Sequence, residues 1–439
     1  MQNIDALIIG GRVLMMDEKN TIMPNGAIAI EGEKIIAVAP VEEIKSLFTA
    51  KTEIDARNSL VMPGLINGHT HAAMTCFRGI ADDMELMEWL NSYIFPAEAK
   101  NVNPQLAYWG SMLACAEMIR SGTTTFCDMY IFEEETARAA REAGMRCLVG
   151  EVLFDFPSPN FQTPEEGLLY TRKLLEKWDG DSLVGIVVEP HSLYTCSPSL
   201  LLNARRLADE FHAPYATHLL ENNSEAKQIL DKTGKPAIQY LQEIGFLSEN
   251  FIAFHCVAMA DEDIRIFADY GCRAVHNPES NMKLASGVAP VSAMRKKGIA
   301  VGLGTDGCAS NNDLDMLREM DSAAKLAKVA ALDPTVLPAI TAMRMATCEG
   351  ARALGLEHKT GSLAVGKRAD IIVIGLDEPH LTPFYNEYSQ LVYAANGADV
   401  DTVFINGKLV MQNRKLLTID ETMAMEQVRK IARQVQKSL

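Results

Sequence analysis

Pro63-Gly-Leu-Ile-Asn-Gly-His69-Thr-His71 is the stretch on which the reading of this sequence turns. A short apolar run ends in two histidines separated by one residue. On a strand, side chains at i and i+2 leave the same face, so His69 and His71 point together. At the C-terminal end of a barrel strand they would converge on one metal ion. A lone His-x-His pair is more often structural, so the surrounding sequence has to decide. Upstream, residues 2–60 hold short β-prone runs at 6–11, 13–16, 27–30 and 34–38, parted by the turn residues Gly10-Gly11, Pro24-Asn25-Gly26 and Glu31-Gly32-Glu33. Downstream, helical stretches at 108–121, 133–144, 198–211 and 261–270 alternate with apolar strands at 124–126, 146–149, 184–188, 215–217, 251–254 and 299–303. Such alternation implies parallel βα units, and six or more of them fit a closed barrel better than an open sheet. After Gly361-Ser-Leu-Ala-Val-Gly366 the β texture returns at 370–374 and 403–411, the latter echoing residues 7–15. The expected fold is α/β. A (β/α)8 TIM-like barrel at 61–364 is flanked by a small β-sandwich domain formed from both chain ends, 1–60 and 365–439, with a terminal helix near 421–436.

Composition bounds the function. Of 439 residues, 48% are hydrophobic and 22% charged, ample material for a large core. The net charge of −16 would repel phosphate backbones and anionic lipid, so neither nucleic acid nor a membrane is an expected partner. A purine could still arrive as a free nucleoside. No basic segment followed by an apolar run opens the chain, so no secretory signal is expected. The uncharged stretch 58–77 carries Pro63, Gly64, Asn67, Gly68 and both histidines, unlike any bilayer helix. Nine cysteines without a Cys-x-x-Cys pair read as reduced, mostly buried thiols of a cytoplasmic protein. Self-association into a homo-oligomer is left open.

The other histidines resolve the ambiguity of the first two. Of nine in the chain, His69, His71, His191, His218, His255 and His276 all fall at the ends of apolar strands, where barrel enzymes place their chemistry. Asp306 follows the strand Val301-Gly-Leu-Gly-Thr305. Alone it could be a helix cap, but with three histidines it completes a nitrogen-and-oxygen donor set suited to zinc. Glu221, in His218-Leu-Leu-Glu221, sits where a carboxylic acid could face the reacting group.

Six motifs carry a resemblance: PGLINGHTH at 63–71, EPHSLYTCSP at 189–198, THLLE at 217–221, FHCV at 254–257, HNPESNMKLASG at 276–287 and GTDGCASNN at 304–312. Together they resemble the strand-end motifs of the amidohydrolase superfamily, and within it the 5′-methylthioadenosine/S-adenosylhomocysteine deaminase group. The resemblance covers essentially the whole chain. It implies one divalent metal ion per chain, zinc above all, held by His69, His71, His218 and Asp306. It implies three catalytic groups: Asp306 as base, His255 orienting the attacking water, and Glu221 as the acid that protonates purine N1. The product would be an inosine analogue, with ammonia released. On the substrate side it implies Trp89 on a loop over the nucleoside, Glu98 accepting from the ribose hydroxyls, His191 at the substrate, and Ser310 near the base, with Glu221 and Asp306 also in contact. His276 would buttress the site.

Two departures matter. Many relatives carry an arginine about forty residues before His191, where this chain reads Gly150-Glu151-Val152, so no cationic clamp for a homocysteine carboxylate is implied. The run Val184-Gly-Ile-Val-Val-Glu189 holds no lysine to bridge two metals, which disfavours the dinuclear branches. Alternatives on the same scaffold are a guanine or pterin deaminase and a triazine-type hydrolase. A non-enzymatic barrel is disfavoured because no ligand position is lost.

Overall fold

Eight strand segments run in parallel around one axis, in chain order. They are Leu65–Thr70, Thr123–Tyr130, Arg146–Leu153, the interrupted pair Val184–Ile186 and Glu189–Pro190, Tyr215–Leu219, Phe251–His255, Arg273–His276 and Val301–Leu303. Consecutive strands pair from first to fourth and from fifth to eighth. Two joints close the ring. Bridges between Val188 and Tyr215 and between Ser192 and His218 connect the fourth strand to the fifth. The Asp306 N–H donates to the His69 carbonyl at 2.9 Å, tying the eighth back to the first. The computed structural model describes residues 1–85 and 88–438.

Every residue of the first, second, third, fifth and sixth strands is buried. Strands covered on both faces carry apolar runs without polar alternation, and their buried polar side chains, such as Asp128 and Glu151, are hydrogen-bonded. The expected single strand at 184–188 is broken for a physical reason. Val187 donates to Val149 on the third strand, but Val188 donates to Pro214 at the start of the fifth, both at 3.0 Å. The backbone changes partner in mid-run.

Both chain ends enter one nine-stranded mixed sheet. Gln2–Leu14 pairs antiparallel with Ile22–Glu31 and parallel with Phe48–Asp55 and Ser59–Pro63. Ser59–Pro63 then pairs antiparallel with Ile371–Gly375, which continues through Val400–Ile405 to Lys408–Gln412. Ile8, Ile28, Ile30 and Val61 share a core with Ile371, Val373 and Phe404, the sandwich interior drawn from both ends. The run 6–11 and the start of the run 13–16 belong to the single strand Gln2–Leu14, with Met15 and Met16 beyond its end. Gly10, at φ +88°, sits where the register shifts, so the glycine pair marks a bulge rather than a turn.

The sheet is fastened to the barrel by a buried ion pair. Arg146, opening the third strand, donates to both oxygens of Asp370 at 3.1 and 3.2 Å. The terminal helix Glu421–Ser438 lies against Pro104–Arg120, whose start is capped by Asn103 accepting from Gln105 and Leu106. Among the described residues, no helix is long and apolar enough to cross a membrane.

Candidate active site

The strand ends bring four histidines and one carboxylate together. His69 is in the first strand and His71 just beyond it, their ring centroids 4.8 Å apart. His218 from the fifth strand stands 5.0 Å from His69, and His255 from the sixth stands 5.5 Å from His218. Asp306 Oδ1 lies 3.5 Å from His69 Nε2 and 3.2 Å from His71 Nε2, and Oδ2 lies 3.9 Å from His255 Nε2. Two sets of ligand atoms each gather within 4.8 Å: His69 with His71 and Asp306, and His69 with His218 and His255. The expected ligands His69, His71, His218 and Asp306 draw on both.

Oxygen partners hold the rings outward side first. His71 Nδ1 meets the Met129 carbonyl, His218 Nδ1 the His191 carbonyl at 3.0 Å, and His255 Nδ1 the Asn281 side-chain oxygen at 3.0 Å. A proton on Nδ1 of His218 and His255 leaves the Nε2 lone pair facing the centre, the tautomer a metal needs, whereas His71 must also give up the Nε2 proton it shares with Asp306. His69 is fully buried, yet neither ring nitrogen has a hydrogen-bond partner, and its ring stacks on Phe254 at 3.9 Å. A buried polar atom without a partner is costly, and a cation between His69, His71, His218 and Asp306 would satisfy one of the two. The donor set therefore fits a zinc-type ion.

Asp306 is fixed at φ +64°, uncommon for a residue with a side chain. Its Oδ1 accepts from Gly307 N at 2.7 Å and its Oδ2 from Ser280 Oγ at 2.7 Å. Gly304 must stay bare, because a Cβ there would lie 2.7 Å from His69 N. Burial would raise the Asp306 carboxyl, but the hydrogen bond from His71 and the charge of His71 hold it well below the usual range. Burial would likewise lower His71, and the Asp306 carboxylate reverses this, raising it to about 9. Burial pushes His69 and His218 well down, and His191 and His276 to about 3, so these rings are neutral.

One pocket joins these groups to most of the other expected residues. Trp89, Glu98, His191, Glu221 and Ser310 line it together with His71, His218, His255 and Asp306. His69 lies behind this surface, and His276, buried at the end of the seventh strand, does not line it. Trp89 is not on a loop. It opens the π-helical turn Trp89–Ile94, where successive residues bond five apart, and its Nε1 donates to Ala81 O at 3.1 Å. Glu98 follows on the helix Phe95–Asn101, and burial raises its carboxyl to about 7. Burial also raises Glu221. His191 is held by Thr195 Oγ1 at 2.8 Å, and Ser310 Oγ accepts from Ser280 at 3.1 Å.

Sequence reasoning missed the residues that hold these groups in place. Tyr130 donates to Glu98 at 2.7 Å. Glu225 accepts from Glu221 N at 2.7 Å and Leu220 N at 3.1 Å, pinning the turn that presents Glu221. Asp128 accepts from Thr70 Oγ1 and from Ala72 N, securing the His-x-His turn. Ser280 and Asn281 stood inside a quoted motif and Tyr130 at a strand end, the only signals that could have found them.

The fold and this strand-end arrangement define a barrel hydrolase class, and residues 60–410 match the amidohydrolase family. The chain belongs to that family. It is 65% identical over all of its length, and 99% of the relative's, to "5-methylthioadenosine/S-adenosylhomocysteine deaminase 1" of Syntrophus aciditrophicus. It is 43% identical over 98% of each chain to "5′-deoxyadenosine deaminase" of Methanosarcina barkeri. Among solved structures, an adenosine deaminase from Xanthomonas campestris with bound zinc superposes with a TM-score of 0.98, at 36% identity and 99% coverage of each chain.

Proposed function

We propose that this chain is a zinc-dependent aminohydrolase acting on 5′-modified adenosines. Its substrates are 5′-methylthioadenosine and S-adenosylhomocysteine, with adenosine and 5′-deoxyadenosine in the same class; the products are the inosine analogue and ammonia. The observation that carries this reading is the convergence of His71, His218 and Asp306, with His69 packed behind them, in one pocket with two buried carboxyl groups, Glu98 and Glu221. The names of the relatives supply the substrate class.

His69, His71, His218 and Asp306 would hold the metal. A zinc ion in that donor set supplies a Lewis acid that lets water act as a nucleophile near neutral pH. Glu221, its carboxyl raised by burial, keeps a proton available for purine N1, neutralising the ring as C6 becomes tetrahedral. His255, fixed by Asn281, orients the attacking water, and Asp306 accepts its proton. Glu98 accepts hydrogen bonds from the ribose hydroxyls, His191 and Ser310 contact the substrate, and Trp89 walls the pocket above it. The free thiols, eight of nine buried, support a cytoplasmic enzyme.

An ammonia-release screen across adenosine, its 5′-modified analogues, guanine and pterins, with chloride release from a chlorotriazine measured beside it, tests this reading. Turnover confined to the adenosine derivatives is expected; preference for guanine, a pterin or the triazine would overturn it.

A further inference from the structure

Phe95 and Glu98 lie three residues apart on the helix Phe95–Asn101 and so share a face. A ribose held at Glu98 therefore has the Phe95 ring within one helical turn. Phe95 lies 6.5 Å from His191 and 6.4 Å from Phe156, ring centre to ring centre. Phe154 is 4.9 Å from His191 and stacks on Phe156 at 4.7 Å with 21° between planes. Phe95, Phe154 and His191 line the pocket, and Phe156, 41% exposed, carries the ring wall out to solvent. Glu221, His255 and Asp306 come from the ends of the fifth, sixth and eighth strands. The rings come from the third and fourth strand ends and the helix bearing Glu98. With the purine amino carbon at the first group and the ribose at Glu98, the 5′ carbon leaves toward the second.

Among the described residues, no lysine or arginine lines the pocket, so its lining offers a carboxylate at the ring wall no guanidinium or ammonium to pair with. Lys283, beside the lining Leu284, has its ammonium engaged by Asp82 and Asn312. A carboxylate brought against the ring wall would lose water without gaining a paired lysine or arginine. A thioether sulfur against aromatic rings is favoured instead.

Resting on the reading of the site as an adenosine deaminase, we propose that Phe95, Phe154 and Phe156 form a 5′-substituent cradle. It selects uncharged alkylthio groups over groups ending in a carboxylate. The test compares 5′-deoxy-5′-(propylthio)adenosine with its equal-length carboxylate, 5′-deoxy-5′-(2-carboxyethylthio)adenosine, in both turnover and equilibrium binding to the metal-loaded enzyme. The expected result is kcat/KM at least about tenfold higher, and binding at least about tenfold tighter, for the propyl compound at physiological salt. Equal values for the two would overturn the cradle. If neither compound is deaminated while the binding ratio holds, the deaminase reading falls and the cradle stands. Phe156→Lys places a cation at an exposed position, and it should narrow the ratio at least about threefold, with the narrowing lost at high salt. An unchanged ratio would contradict the placement of the 5′ group against Phe156.

Discussion

Replacing Glu221 by Gln keeps its size and removes its transferable proton. Because the metal donors are other residues, Glu221→Gln should lower kcat by ~10²–10⁴ while zinc content stays at its wild-type level. Loss of metal in the variant would contradict the acid role. Glu98 yields a pH prediction. Burial raises its carboxyl to about 7, against a lowering bond from Tyr130. Below that value it is protonated and a poorer acceptor for ribose hydroxyls, so KM for nucleosides should fall as pH rises through about 7 and then level. Tyr130→Phe removes the lowering bond and should move that midpoint to higher pH. KM measured from acid to mildly alkaline pH checks both, and a flat wild-type profile would count against Glu98 as the ribose acceptor.

The strand ends are where elements become chemistry, and Glu225 shows how. It accepts two buried backbone N–H groups, from Leu220 at φ +53° and from Glu221, and so fixes the turn after the fifth strand. Glu225→Ala leaves both donors unsatisfied, at ~1–3 kcal/mol each, and frees Glu221. Stability and kcat should both drop with metal retained; Glu225→Gln, which keeps one acceptor, should fall between wild type and Ala. Equal kcat in all three would contradict the coupling. The metal-facing groups were legible in sequence because the chemistry needs specific residue types at strand ends, which apolar runs make visible. Glu225 was not, because a glutamate in the first turn of a helix is ordinary until its contacts are known. Tyr130 lies four residues beyond the run read as a strand at 124–126, so it was not seen as a strand end. The π-helical turn at Trp89 leaves no periodicity to detect, and the break after Ile186 arises from a change of pairing partner rather than from a change in residue type.

At the scale of the molecule, the barrel and the sheet from both chain ends were readable from the change of texture near residues 63 and 361. The fastening between them was not, since Arg146 and Asp370 are 224 positions apart in sequence. Both are almost completely buried, and Asp370 also accepts from Asn406 N at 2.7 Å. Asp370→Ala would leave the guanidinium buried and unpaired, a loss of about 3–5 kcal/mol. Urea unfolding should show that loss, and a change below about 1 kcal/mol would mean that the pair does not fasten the two layers. The central claim is that one metal, held by His69, His71, His218 and Asp306, runs the deamination of an adenosine derivative. Zinc titration of the chelator-stripped enzyme, followed by ammonia release from 5′-methylthioadenosine, tests it most directly. Activity should rise linearly from near zero and saturate at one equivalent per chain. Saturation only at two equivalents, full activity in the stripped enzyme, or no ammonia at any zinc level would contradict the account.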